Sequence, residues 1–145
     1  MSRLCVHTIT TKPLTLEQCL AEYPQRGIGG ITIWRQALEG RDLGAVQRQV
    51  ADSGMELVSL CRGGFFPAPT AAARQSAIDD NLQAIEQAHA IGAPLVVLVS
   101  CDAASLGRDA GLLAGHGYAL EAVTLVDMFP DTSHVEVVSV FRSGW

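Results

Sequence analysis

Short runs of apolar and β-branched residues alternate along the chain with segments whose apolar positions recur every three or four residues. Leu4–Thr10 reads as a first strand. Thr15 follows as a helix N-cap, with Gln18 placed three residues on to complete a capping box. That helix runs through Cys19, Leu20 and Tyr23, and Gly27 and Gly29–Gly30 follow its end. Gly30–Trp34 is the second strand. Asp42 caps a second helix carrying Val46 and Val50, Ser53-Gly54 ends it, and Met55–Cys61 is the third strand. After the Gly-, Phe- and Pro-rich loop Arg62–Pro69, Thr70 or a neighbour opens the longest helix. Ile78, Leu82, Ile85 and Ala88 or His89 share one face of it, and Gly92 stands past its end. Ala93–Ser100 is nearly continuous in apolar residues, as a parallel strand covered on at least one face should be.

The last third changes rhythm. A helix is expected over Ala104–His116, with Leu106, Leu112 and Leu113 apolar and Gly117 at its end. Strands are expected at Tyr118–Met128 and His134–Arg142. Only Phe129–Ser133 separates these two strands, which is too little chain for a parallel crossover, so they form an antiparallel hairpin. The pattern as a whole predicts an α/β fold: four parallel βα-type units, then a hairpin.

With 145 residues, 48% of them hydrophobic and 17% charged, the chain can bury a substantial core. The net charge of −5 gives no general attraction to nucleic acid, and no nucleic-acid partner is expected. No apolar run approaches the roughly 18–20 residues that span a bilayer, so no membrane partner is expected. The N-terminus MSRLCVHTIT lacks the apolar core of a signal peptide, which makes a cytoplasmic location the expectation. Cys5, Cys19, Cys61 and Cys101 form no C-x-x-C pair. Cys5, Cys19 and Cys61 read as free, mostly buried thiols.

Residues 1–98 resemble the N-terminal half of a xylose-isomerase-like TIM barrel of the sugar phosphate isomerase/epimerase family. LCVHTITTKPLTLEQCL, RGIGGITIW, ADSGMELVSLCRGGFF and above all ARQSAIDDNLQAIEQAHAIGAPLVVLV carry the likeness. The resemblance implies βα units and a substrate pocket at the strand ends, near His7 and Trp34. It places the family's metal ligands mostly in a second half-barrel, and an eight-stranded barrel commonly takes about 250 residues. On chemistry alone His7, Glu56 and Asp102 are ordinary metal-ligand types, but their spacing does not demand a site, and no metal is expected. Otherwise His7 is a packed or solvent-facing histidine, Trp34 covers apolar surface and Glu56 is a solvated strand-start residue.

Residues 97–142 resemble a second family, the C-terminal end of SAM-dependent RNA 5-methyluridine methyltransferases. Ser100-Cys101-Asp102-Ala103-Ala104-Ser105-Leu106 with Arg108-Asp109 matches S-C-[ND]-P-x-[ST]-L-x-R-D, apart from Ala103 in place of proline. Gly117-Tyr118-Ala119-Leu120, Asp127-Met128-Phe129-Pro130, Thr132, His134 and Glu136 continue the pattern in order. In that family a cysteine thiolate adds to carbon 6 of uracil, making carbon 5 nucleophilic toward the methyl donor, and a base later removes the carbon 5 proton. The resemblance puts Cys101 in the nucleophile position and Glu136 in the base position. From spacing alone they read as a half-buried thiol and a solvent-facing strand glutamate.

A SAM-holding glycine turn that follows a strand and opens a helix is not found. Gly27-Ile28-Gly29-Gly30 precedes a strand, and Gly63-Gly64 lacks the three-glycine spacing. No cofactor is therefore expected, and Cys101 and Glu136 are expected to be vestigial. The two resemblances together imply a chimera, engineered or recombined: a half TIM barrel (1–98) spliced to a Rossmann-like methyltransferase fragment (99–145) within one α/β domain over 1–145. Native activity is not expected; a uridine methyltransferase-like fragment and a sugar-phosphate-binding module are the alternatives. The expected sheet is six-stranded and mostly parallel, of order 1-2-3-4-6-5 with strand 6 antiparallel. The inner face of a half-barrel would be left bare and apolar, inviting a homodimer or a helix moved across it.

Overall fold

Local signals set most element boundaries. In the computed structural model, which describes residues 4–61, 70–100, 103–127 and 135–144 (for 103–105 the backbone alone), the strands are β1 Cys5–His7, β2 Gly30–Trp34, β3 Glu56–Cys61, β4 Leu95–Ser100, β5 Tyr118–Val126 and β6 Glu136–Ser143. The α-helices among these residues are α1 Leu16–Gln25, α2 Leu43–Asp52, α3 Ala71–Ala90 and α4 Ala103–Gly115. The hydrogen-bonded strand order is β1-β2-β3-β4-β6-β5, with β6 antiparallel to both of its neighbours, as the sequence leads one to expect. The chain divides into two compact units, Met1–Ala93 and Pro94–Trp145.

In the first unit each helix start is written in its own sequence. The Thr15 hydroxyl accepts from the Gln18 backbone N–H and the Gln18 side chain accepts from the Thr15 N–H, a complete capping box. Asp42 accepts from Ala45 N–H at the start of α2, and Thr70 from Ala73 N–H at the start of α3. Gly27, Gly54 and Gly92 take positive φ just past the helix ends, where a β-carbon would be strained. The core joins Leu16, Leu20 and Tyr23 of α1, Val46 and Val50 of α2 and Ala88 of α3 to Ile31 and Ile33 of β2. The side chains on the expected face of α3, Ile78, Leu82 and Ile85, are only half-buried.

Two expectations for this unit are corrected. The first strand ends at His7, and Thr8–Thr11 forms a 3-10 turn. The His7 ring nitrogen Nδ1 accepts the Ile9 N–H, and the Thr10 hydroxyl donates to the His7 carbonyl; these local bonds turn the backbone out of the sheet. The sheet face opposite Ile31 and Ile33 is also mixed, not uniformly apolar. Strand alternation and the register of β1, β2 and β3 place Cys5, His7, Thr32, Trp34, Ser59 and Cys61 on it. The Thr32 and Ser59 hydroxyls are hydrogen-bonded at 3.0 Å, and Cys5 Sγ lies 3.6 Å from the Thr32 hydroxyl. The part of that face formed by β1, β2 and β3 is thus mixed, polar at Thr32 and Ser59 and apolar at Trp34 and Val58.

In the second unit Leu113 of α4, Tyr118 of β5 and Phe141 of β6 are each about fully buried, at 1% exposure. β4 pairs with β6 from Leu95↔Arg142 to Ser100↔Val137, and β5 pairs with β6 from Tyr118↔Ser143 to Val126↔Glu136. Apolar exposure gathers here, at Val97 and Val99 of β4 and at Leu120, Val123 and Leu125 of β5.

Candidate functional site

The ends of β1, β2 and β3 bring His7 and Trp34 together. Their ring centroids are 5.8 Å apart with the planes tilted by 52°. Because His7 Nδ1 accepts the Ile9 N–H, the neutral ring carries its proton on Nε2. Burial lowers the His7 pKa, which keeps the ring neutral and able to donate from Nε2. The Thr8 hydroxyl accepts the Trp34 N–H at 2.9 Å and fixes the end of β2. Behind this pair, Thr11 and Tyr23 share a 2.5 Å hydroxyl contact, and Cys19 Sγ lies 3.6 Å from Thr11. Burial, the largest cause, pushes the Tyr23 phenol up, so it stays a neutral hydroxyl that ties the 3-10 turn to α1.

The remaining residues singled out near this site do not converge on it. Glu56 opens β3 and pairs with Gly30, whereas His7 pairs with Thr32; the two stand on non-adjacent strands at different rungs. Asp102 lies outside the described residues. Among the described residues no three His, Cys, Asp or Glu side chains come close enough to hold a metal ion. Cys5 is exposed, not buried as expected, because it stands on the open mixed face; Cys19 is buried and Cys61 half-buried. Burial pushes the Cys61 thiol up, which disfavours a reactive thiolate there.

In the second unit the hairpin returns Glu136 to the end of β4. Glu136 is the first residue of β6, half-buried and paired with Val126. Its neighbour Val137 pairs with Ser100, the last residue of β4. Cys101 follows Ser100 in the chain and lies outside the described residues. Glu136 therefore starts the strand beside the one that leads into Cys101.

The ends of β1 and β2 do not fit SAM. β1 runs into the 3-10 turn Thr8–Thr11 and β2 into Arg35–Leu38, neither of which contains a glycine. A dinucleotide-type cradle needs backbone N–H groups freed by glycines at that point. No step through SAM is therefore derived for these residues.

Arg35 is a residue that sequence reasoning missed. It stands in the turn after β2, and its guanidinium donates to Asp80 at 2.5 Å, Gln83 at 2.8 Å and Gln87 at 2.7 Å, all on α3. The acceptors recur at helical spacing, which marks one polar stripe on α3. Nothing in the local sequence says that an arginine from 45 residues upstream will fill that stripe.

No family model matches the chain. Over 66 residues it is 44% identical to the 23S rRNA (uracil(1939)-C(5))-methyltransferase RlmD of Pseudomonas aeruginosa, a match covering 46% of this chain and 15% of that protein. The RlmD of Alcanivorax borkumensis is 52% identical over 52 residues, covering 36% of this chain and 12% of the relative. The chain thus spans well under a fifth of the length of these relatives.

Among solved structures, protein SMc04130 from Sinorhizobium meliloti aligns with a TM-score of 0.60 and 33% identity, over 77% of this chain and 44% of that one. A xylose isomerase-like TIM barrel/4-hydroxyphenylpyruvate dioxygenase fusion protein aligns at 0.54 and 18% identity over 63% of this chain and 15% of the other, a likeness of fold. The expectation of no nucleic-acid partner is contradicted by the RlmD matches, because those relatives are enzymes of 23S rRNA. Net charge averages over the whole chain, whereas RNA recognition rests on local contacts, so it is a weak guide to this partner. Among the described residues no helix is long and apolar enough to cross a membrane.

Proposed function

We propose that this chain is a composite of two partial enzyme folds, a βα half-barrel and the terminal strands of a uracil C5 methyltransferase, and that it performs the complete reaction of neither. The observation that carries the reading is the division between Ala93 and Pro94, at the foot of β4. The barrel-like and methyltransferase-like patterns meet in that strand. A parallel strand shared by two βα architectures is a natural splice point, engineered or recombined, because each side keeps its local packing. Cys101 and Glu136 are then a nucleophile and base inherited without the residues that present the methyl donor.

A second reading keeps the terminal unit as a working part of an RNA uridine methyltransferase, favoured by the 44% identity to RlmD. Calorimetric titration of the chain with SAM, alone and with a uridine-containing RNA oligonucleotide, separates the two. The composite reading expects no SAM binding in either arm and no methyl transfer. Stoichiometric SAM binding, or a methyl group appearing on uridine in a Cys101-dependent manner, would overturn it in favour of the second.

A further inference from the structure

We infer that two copies of this chain pair edge to edge through β5, in an antiparallel register with a two-fold axis at Thr124. The inference is independent of the proposed function. β5 is nine residues long and pairs only with β6 among the described residues, so its outer edge is open. Natural edge strands are blunted by prolines, lysines or shortness. β5 has no proline and no lysine, and its one charge, Glu121, is already answered by Arg142 of β6 at 3.0 Å. The irregularity that could guard the edge lies between Leu120 and Ala122, which leaves Ala122–Val126 regular.

The register follows from the side chains. Val123 and Leu125 oppose Ser139 and Val137 and so share one face of the sheet; Ala122, Thr124 and Val126 lie on the other. Both Val123 and Leu125 are strongly exposed, at 53% and 69%. A two-fold at Thr124 sets Val123 of each copy against Leu125 of the other, closing four apolar side chains into one patch. On the opposite face it sets Thr124 against Thr124, a favourable cross-strand pair, and Ala122 against Val126. Moving the axis by one residue, to Val123, sets Leu125 against Glu121 instead. The Thr124 register is self-complementary, as an isologous contact must be; the one like-charge opposition it makes, Glu121 against Asp127, falls at the ends of the paired segment, past the last residue of β5, where Arg142 already answers Glu121. A contact one short strand long is smaller than the roughly 1,200 Å² of a standard interface, so association is weak and concentration-dependent.

Sedimentation of the full chain across the micromolar-to-millimolar range tests this. The expected result is a monomer–dimer equilibrium that Leu125→Lys weakens by at least about tenfold, while Val97→Lys, exposed on β4, leaves it in place. Under mild oxidation Thr124→Cys should give a disulfide between the introduced thiols of the two copies, mapped by mass spectrometry and absent from Ala119→Cys. Leu125 is exposed, so circular dichroism should show Leu125→Lys folded as the parent is. A parent chain that stays monomeric throughout, a dimer lost in Val97→Lys but kept in Leu125→Lys, or cross-linking through position 119 and not through position 124 would each overturn the inference.

Discussion

Arg35 offers the sharpest energetic test of the first unit. Its guanidinium satisfies three acceptors on α3 while its side chain is only 15% exposed, so truncation removes one bond each from Asp80, Gln83 and Gln87. Bonds to the two glutamines should each contribute about 0.5–1.5 kcal/mol. Asp80 is 41% exposed, so the ion pair is discounted to about 1 kcal/mol. The sum for Arg35→Ala is about 2–4 kcal/mol of destabilisation, to which lost packing of the aliphatic stem adds. For a urea dependence of about 1–3 kcal/mol per molar, the unfolding midpoint should fall by about 1–2 M. Trp34, the adjacent residue, reports it by fluorescence in a Trp145→Phe background. Arg35→Lys should recover less than half of the loss, because an ammonium cannot reach three acceptors spread along two turns. If Arg35→Ala moved the midpoint by less than about 0.3 M, or Arg35→Lys matched the parent, the clamp would be a surface ornament and the reasoning wrong.

Thr15→Ala removes the capping box of α1 and should cost about 1 kcal/mol, read from the same urea transition, with Thr15→Asn recovering most of it. Ser139 is 1% exposed and its hydroxyl has no hydrogen-bond partner among the described residues, so Ser139→Ala should raise stability by about 1 kcal/mol, read as a higher melting temperature. Glu17 is held at a pKa of about 2, below the usual 4.5, first by its own backbone N–H and then by Arg41. A folded pKa below the unfolded one means stability that is fully present above pH 4.5 and is lost as pH falls toward 2. Glu17→Gln should therefore flatten the acid side of a stability–pH profile, by a small amount because the carboxylate is half exposed.

Legibility followed how local each signal was. The Thr15, Asp42 and Thr70 caps and the terminal glycines are written within four residues of what they control, and every one of those helix ends stands where the sequence put it. Strand order was legible because the short connection read between the last two strands implies a hairpin and the methyltransferase likeness supplied its placement. The 3-10 turn after β1 was not legible, since the bond from Ile9 to His7 Nδ1 competes with strand extension and leaves no periodic trace. The mixed face on β1–β3 was missed because a barrel precedent suggested an apolar interior. Its residues Cys5, Thr32 and Ser59 become neighbours only once the register is known. Arg35 reaches across the unit, and long-range polar pairing carries no sequence period at all.

The caps of α1, α2 and α3 have a consequence for how βα pieces can be exchanged between genes. Each helix carries its start signal in the residues that precede it, and α1, α2 and α3 each end where the chain turns through a glycine with positive φ. A βα piece cut at a strand can be moved into another gene without losing the instructions for its own boundaries. What does not travel with it is the long-range chemistry, the groups that meet only when a particular second half is present. Inheritance by such pieces should thus preserve shape far more readily than activity, and recombination should leave folded proteins whose catalytic residues are relics of a partner left behind.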